Sequence, residues 1–120
     1  FWAMILAASE VMRGKTRMPK LDFFTQILGV RWRILADHRL PRDTDGDCNR
    51  ELKRIRIHPS NTPKKKLEIL HHEWQHAAFD HLDEVYVSDS SADFAEILFR
   101  PDVLAFLGLQ LIPDSPPRAR

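Results

Sequence analysis

Thr62-Pro63-Lys64-Lys65-Lys66-Leu67-Glu68-Ile69-Leu70-His71-His72-Glu73-Trp74-Gln75-His76-Ala77-Ala78-Phe79 is the stretch on which the fold turns. A threonine before a helix can accept one of the orphan N–H groups of its first turn, and proline suits the first helical position, where its missing N–H costs nothing. Leu67, Leu70, Trp74, Ala77 and Ala78 then recur at helical spacing, so the pattern predicts one long helix through about residue 79. Trp74, on that stripe, is expected in the core, as is Trp32.

Upstream, Val30, Trp32 and Ile34 alternate with Arg31 and Arg33, and Ile55 and Ile57 alternate with Arg54, Arg56 and His58. Period two marks strands with one buried face. Residues 37–49, rich in Pro, Asp and Gly, read as a long connection between two antiparallel strands. Downstream, Asp80 to Asp83 reads as a short turn, Val85, Phe94, Ile97 and Leu98 as the apolar positions of a second helix ending near Arg100-Pro101, and Asp102–Leu107 as a short third helix. The expected fold class is α+β: a small antiparallel sheet packed on the long helix and the helix after it.

The chain has 120 residues, enough for one core. Residues 18–112 are read as that single domain, 1–17 as an N-terminal extension or helix outside it, and 113–120 as a flexible tail. Phe1-Trp2-Ala3-Met4-Ile5-Leu6-Ala7-Ala8 has no basic segment before it and no initiating methionine, so it reads as a fragment start or upstream extension rather than a secretory signal. No apolar run reaches the roughly 18 residues of a membrane span. A single cysteine, Cys48, cannot form an internal disulfide, and a bacterial or phage-infected cytosol is the expected compartment.

Net charge is +1, but residues 1–66 hold 15 Lys/Arg against 7 Asp/Glu and residues 67–120 hold 3 against 10. The basic half raises the question of nucleic acid. No aromatic-basic binding motif accompanies it, so nucleic acid is not an expected partner.

His72 and His76, four residues apart on a helix, place two imidazoles on one face, one turn apart, where both can reach a single ion. Glu73 sits beside them without being a ligand and can take a proton from water activated by the metal. His-Glu-x-x-His fixes only three positions, so its context carries weight: it falls late in a well-started helix that follows a strand. Zn2+ is the expected cofactor.

Leu28-Gly29-Val30-Arg31-Trp32-Arg33-Ile34, Gly46-Asp47-Cys48-Asn49, Arg54-Ile55-Arg56-Ile57 and the segment from Leu70 to Ala78 resemble small phage and bacterial HExxH proteins and, more distantly, minimal gluzincin-like zincin domains. The resemblance spans about residues 27–100. It implies a hydrolase of the zinc metallopeptidase type acting on a peptide or protein substrate, with an acidic third ligand from the following helix and a sheet edge able to bind an extended peptide. His71 departs from the family pattern, where an apolar residue is expected. An inactive, zinc-stabilised binding or regulatory module is the alternative.

Glu84 is the expected third ligand. Asp83 is a good cap, which puts Glu84 in the first turn of the second helix, beside the end of the metal helix. Asp93, Glu96 and His81 are its rivals, with Asp93 better suited to orient a ligand imidazole. Asp43-Thr44-Asp45-Gly46-Asp47 reads as a polar turn rather than a calcium loop, Cys48 as a small packed residue, Lys64-Lys65-Lys66 as a solvated face and Tyr86 as a packing residue.

Overall fold

Asp22–Ile27 (β1) and Val30–Ala36 (β2) pair antiparallel in a hairpin closed by Leu28 and Gly29. Both turn residues have positive φ, 48° and 81°, the geometry of a two-residue turn whose twist matches its strands. The computed structural model describes residues 20–110, so the segments 1–17 and 113–120 singled out in the sequence lie outside the described residues.

Gly46–Asn49 (β3) and Arg54–Ile57 (β4) form a second antiparallel hairpin, and β4 inserts beside β2, giving the order β1-β2-β4-β3. The register between β2 and β4, Arg33 with Arg54 through Ala36 with Ile57, is parallel. The expectation of an antiparallel sheet is therefore corrected to a mixed one. The physical reason is β3: it lies inside the stretch read as a connection, and the chain reaches β4 only after crossing to the far edge and turning back.

Alternation along β2 and β4 buries Trp32, Ile34, Ile55 and Ile57 on one face. Arg33 and Arg56 fall on the other, where Arg33 forms a two-point pair with Asp22 and Arg56 pairs with Asp47 and, at 3.6 Å, with Asp37. Helix α1, Pro63–Ala78, packs on the apolar face. Its Ile69 and Ala77 join Ile27, Trp32, Ile34, Ile55 and Ile57 in one cluster, with Cys48, Leu70 and Ala78 against it. Thr62 caps α1 through the Lys65 N–H, and Pro63 opens it, as the sequence predicts.

Helix α2, Glu84–Leu98, starts at Asp83, whose carboxylate accepts the Val85 and Tyr86 N–H groups. Its buried positions are Val87, Ser91 and Ala95, while Val85, Phe94 and Ile97 are exposed. Small residues spaced by four let α2 lie close on α1. Trp74 is also not core: it is 37% exposed and meets Phe79 edge-on and the His71 ring at a tilt. The buried place on that side of α1 belongs to Gln75.

Lys20–Phe99 forms one unit, and the chain from Arg100 belongs to another. There, helix α3, Pro101–Leu107, ends at Gly108, whose φ of 72° is the left-handed C-cap geometry glycine adopts without strain. No described helix is long and apolar enough to cross a membrane.

Candidate metal centre

One residue of α-helix turns the side-chain direction by about 100°. On α1, Ile69 and Ala77 point into the sheet, and His71 and Gln75 meet α2. His72 and His76 fall in the wedge between these two faces. Their Nε2 atoms are 3.2 Å apart and the rings meet edge to face. Glu84 closes the wedge from α2, with Oε1 2.8 Å from His72 Nε2 and Oε2 2.9 Å from His76 Nε2.

Donors bound tetrahedrally at about 2.0–2.1 Å from a zinc ion lie about 3.3 Å from one another. The spacing between the two imidazole nitrogens and the carboxylate is of that size, and the donor set, two imidazoles and a carboxylate, is one zinc accepts, so these residues fit the ion. Without metal, the same atoms can hold protons instead, each Nε2–H donating to one Glu84 oxygen. The Glu84 side chain is 64% exposed, which leaves this side of the centre open to water.

Glu73 joins the two histidines in a cluster whose potential ligand atoms lie within 4.8 Å of one another. It is partly buried against β3. Burial first, then the negative charges of Asp47 and Glu84, push its carboxyl up to about 7. Gly46 permits this approach: a Cβ there would stand 2.6 Å from Ile69 Cγ2, 2.9 Å from the Arg56 carbonyl oxygen and 3.5 Å from Glu73 Cγ. Arg50, in the β3–β4 turn, donates to the His76 and Ala77 carbonyl oxygens, satisfying acceptors left open at the end of α1 and tying His76 to the hairpin.

A cleft of about 360 Å³ runs from Gly46 at the start of β3 along Glu68, His72 and Glu73 to Ser88 of α2. β3 is an edge strand, so this cleft lies beside a sheet edge.

The rivals of Glu84 lie elsewhere. Glu96 pairs with Lys64 near the start of α1, His81 contacts Asp80 in the turn at 3.3 Å, and Asp93 is exposed with no hydrogen bond to either imidazole among the described residues. Cys48 packs against the core outside the cluster, its thiol pushed up to about 11 by burial and by the charge of Glu73. Tyr86 is exposed. Gly46, Arg50, Gln75 and Ser88 were not singled out in the sequence as site residues. None of these carried a local signal, since Gly46 falls in a segment whose composition reads as a polar turn.

No protein-family model, curated protein or solved structure matches the chain significantly.

Proposed function

We propose that the chain is a zinc-dependent hydrolase of peptide bonds, a minimal zincin-like metallopeptidase in which His72, His76 and Glu84 hold the ion and Glu73 is the general base. The observation that carries the reading is the convergence of two imidazole nitrogens 3.2 Å apart on one carboxylate, with a partly buried glutamate beside them. When bound, zinc acts as a Lewis acid on a carbonyl oxygen and lowers the pKa of water toward about 7.

Glu73 takes the proton from the attacking water on its carboxylate and returns it to the leaving amine. Its packing beside Gly46 holds the carboxylate next to the two imidazoles. An extended peptide added to the outer edge of β3 would run beside the cleft and bring a carbonyl to the centre; backbone hydrogen bonds of that kind fix orientation with little demand on sequence.

The alternative, an inactive zinc-stabilised module, needs a site closed by protein. The exposure of Glu84 favours the open, catalytic form. The test pairs two measurements. Purified protein should hold about one zinc per chain, and His72→Ala or His76→Ala should abolish it. Glu73→Gln should keep the zinc and lose hydrolysis of a broad peptide library, because the amide keeps the shape but has no basic lone pair. Zinc far below one per chain defeats the reading, and zinc binding without cleavage by the wild type leaves the inactive module.

A further inference from the structure

We propose that Gln75 is a positioning residue for the metal centre: its side-chain amide fixes where α2 sits on α1 and so holds the Glu84 carboxylate against His72 and His76. This rests on the reading of those three residues as ligands.

Gln75 is 5% exposed and Ser91 is fully buried, in the middle of a helix–helix contact where apolar residues would bury equally well. Gln75 Nε2 lies 2.9 Å from Ser90 Oγ, 3.0 Å from Ser91 Oγ, 3.0 Å from His71 Nδ1 and 3.5 Å from the Val87 carbonyl oxygen. An amide has two N–H groups. One assignment satisfies every member: Gln75 donates to both serines, Ser91 passes its own hydrogen to His71 Nδ1 at 3.0 Å, and Ser90 donates to Gln75 Oε1 at 3.3 Å. The His71 ring stacks on Phe94, centroids 4.6 Å apart and planes 19° apart, which braces the far side.

Such a network has one register. Apolar contact tolerates sliding, whereas a buried polar group that loses its partner costs about 1–3 kcal/mol. A one-residue slip of α2 would move it about 1.5 Å and turn it about 100°. Glu84 lies on the same face of α2 as Val87 and Ser91, three and seven residues before them, so that slip would carry its carboxylate off the imidazoles. On α1 the correspondence is as direct, because His71 and Gln75 each stand one residue before a histidine of the pair.

The test is a double-mutant cycle on zinc affinity, read by competition with a chromophoric chelator, together with the visible spectrum of the Co2+-substituted protein. Gln75→Met, which keeps length without donors, should weaken zinc binding about tenfold or more, within the range found when a partner that orients a ligand is lost. It should also weaken the Co2+ absorption as a protein ligand is exchanged for water. Ser91→Ala, a gentler change, should act in the same direction. In a Glu84→Ala background, Gln75→Met should cost no further affinity, because the ligand through which it acts is already gone. Wild-type affinity in Gln75→Met, or an equal loss in both backgrounds, overturns the proposal. If the wild type binds no zinc, the metal reading fails by itself. Hydrogen exchange on the metal-free protein then separates the two: faster exchange along α2 in Gln75→Met keeps the alignment of α2 on α1 by Gln75 and drops only the metal, and unchanged exchange ends both.

Discussion

Toward the sheet, α1 presents Ile69 and Ala77 to Ile34, Ile55 and Ile57; toward α2 it presents His71 and Gln75 to Ser90 and Ser91. The first face is held by area removed from water, a force that is strong but without direction. The second depends on hydrogen bonds, weaker in net terms but exacting in geometry. The proposed metal centre lies between them. Its histidines stand on a helix secured by the apolar side, while its carboxylate arrives on a helix aligned by the polar side.

The largest effect is expected from breaking the apolar face. Ile55 is fully buried at the centre of the cluster, so Ile55→Ala should cost about 2–5 kcal/mol, a large fraction of a domain's stability, read as a lower urea midpoint. If that variant unfolds at the wild-type midpoint, the cluster is not what secures α1.

Gly46→Ala sharpens the same side by overfilling it. The added methyl would press on Ile69 and the Arg56 carbonyl oxygen, and a cost of about 1–3 kcal/mol is expected, with weaker hydrolysis if Glu73 is displaced. A neutral Gly46→Ala would mean that β3 and α1 are not in tight contact there.

Asp83→Ala tests the other side at its weakest point. Losing the cap of α2 should cost about 1 kcal/mol and loosen the turn that carries Glu84. Zinc affinity should fall only a fewfold, less than in Gln75→Met, and a larger fall would shift the main control of Glu84 from the network to the cap.

The smallest effect belongs to neither face. Asp37 is buried, but its partner Arg39 is largely in water, which screens the pair. The side-chain and backbone hydrogen bonds from Arg39, then the charges of Arg39 and Arg56, hold the Asp37 carboxyl down at about 2. A depressed carboxyl stabilises the fold above its unfolded pKa of about 3.9, and that contribution disappears as pH falls through about 2. Asp37→Asn should therefore be slightly less stable at neutral pH and lose less stability than wild type across that acid window. Parallel acid limbs for the two proteins would rule this out.

Much of this was legible locally. Thr62-Pro63 and Asp83 mark helix starts because capping is a matter of a few adjacent atoms, and His72, Glu73 and His76 share a face because helical spacing requires it. Glu84 could be singled out because the turn before it is too short to carry the second helix away, and its carboxylate does lie within 2.9 Å of both imidazoles. β1 has no clear period in the sequence, although Phe23, Phe24, Thr25 and Ile27 favour strands, since exposed aromatics at neighbouring positions blur the alternation. β3 leaves no signal because Gly-Asp-Cys-Asn has neither strand propensity nor apolar period.

The sequence by itself determined the helices, the caps Thr62 and Asp83 and the residues of the motif, all consequences of contacts within a few positions along the chain. Only the tertiary structure decided that β2 and β4 run parallel, that Trp74 faces outward while Gln75 is buried, and that Val87, Ser91 and Ala95 are the buried positions of α2 while Val85 and Ile97 are exposed and Phe94 meets α1 only by stacking on His71. Those choices depend on which partner each face meets, and a buried glutamine is tolerated only where two serines and a histidine from elsewhere in the fold complete its hydrogen bonds.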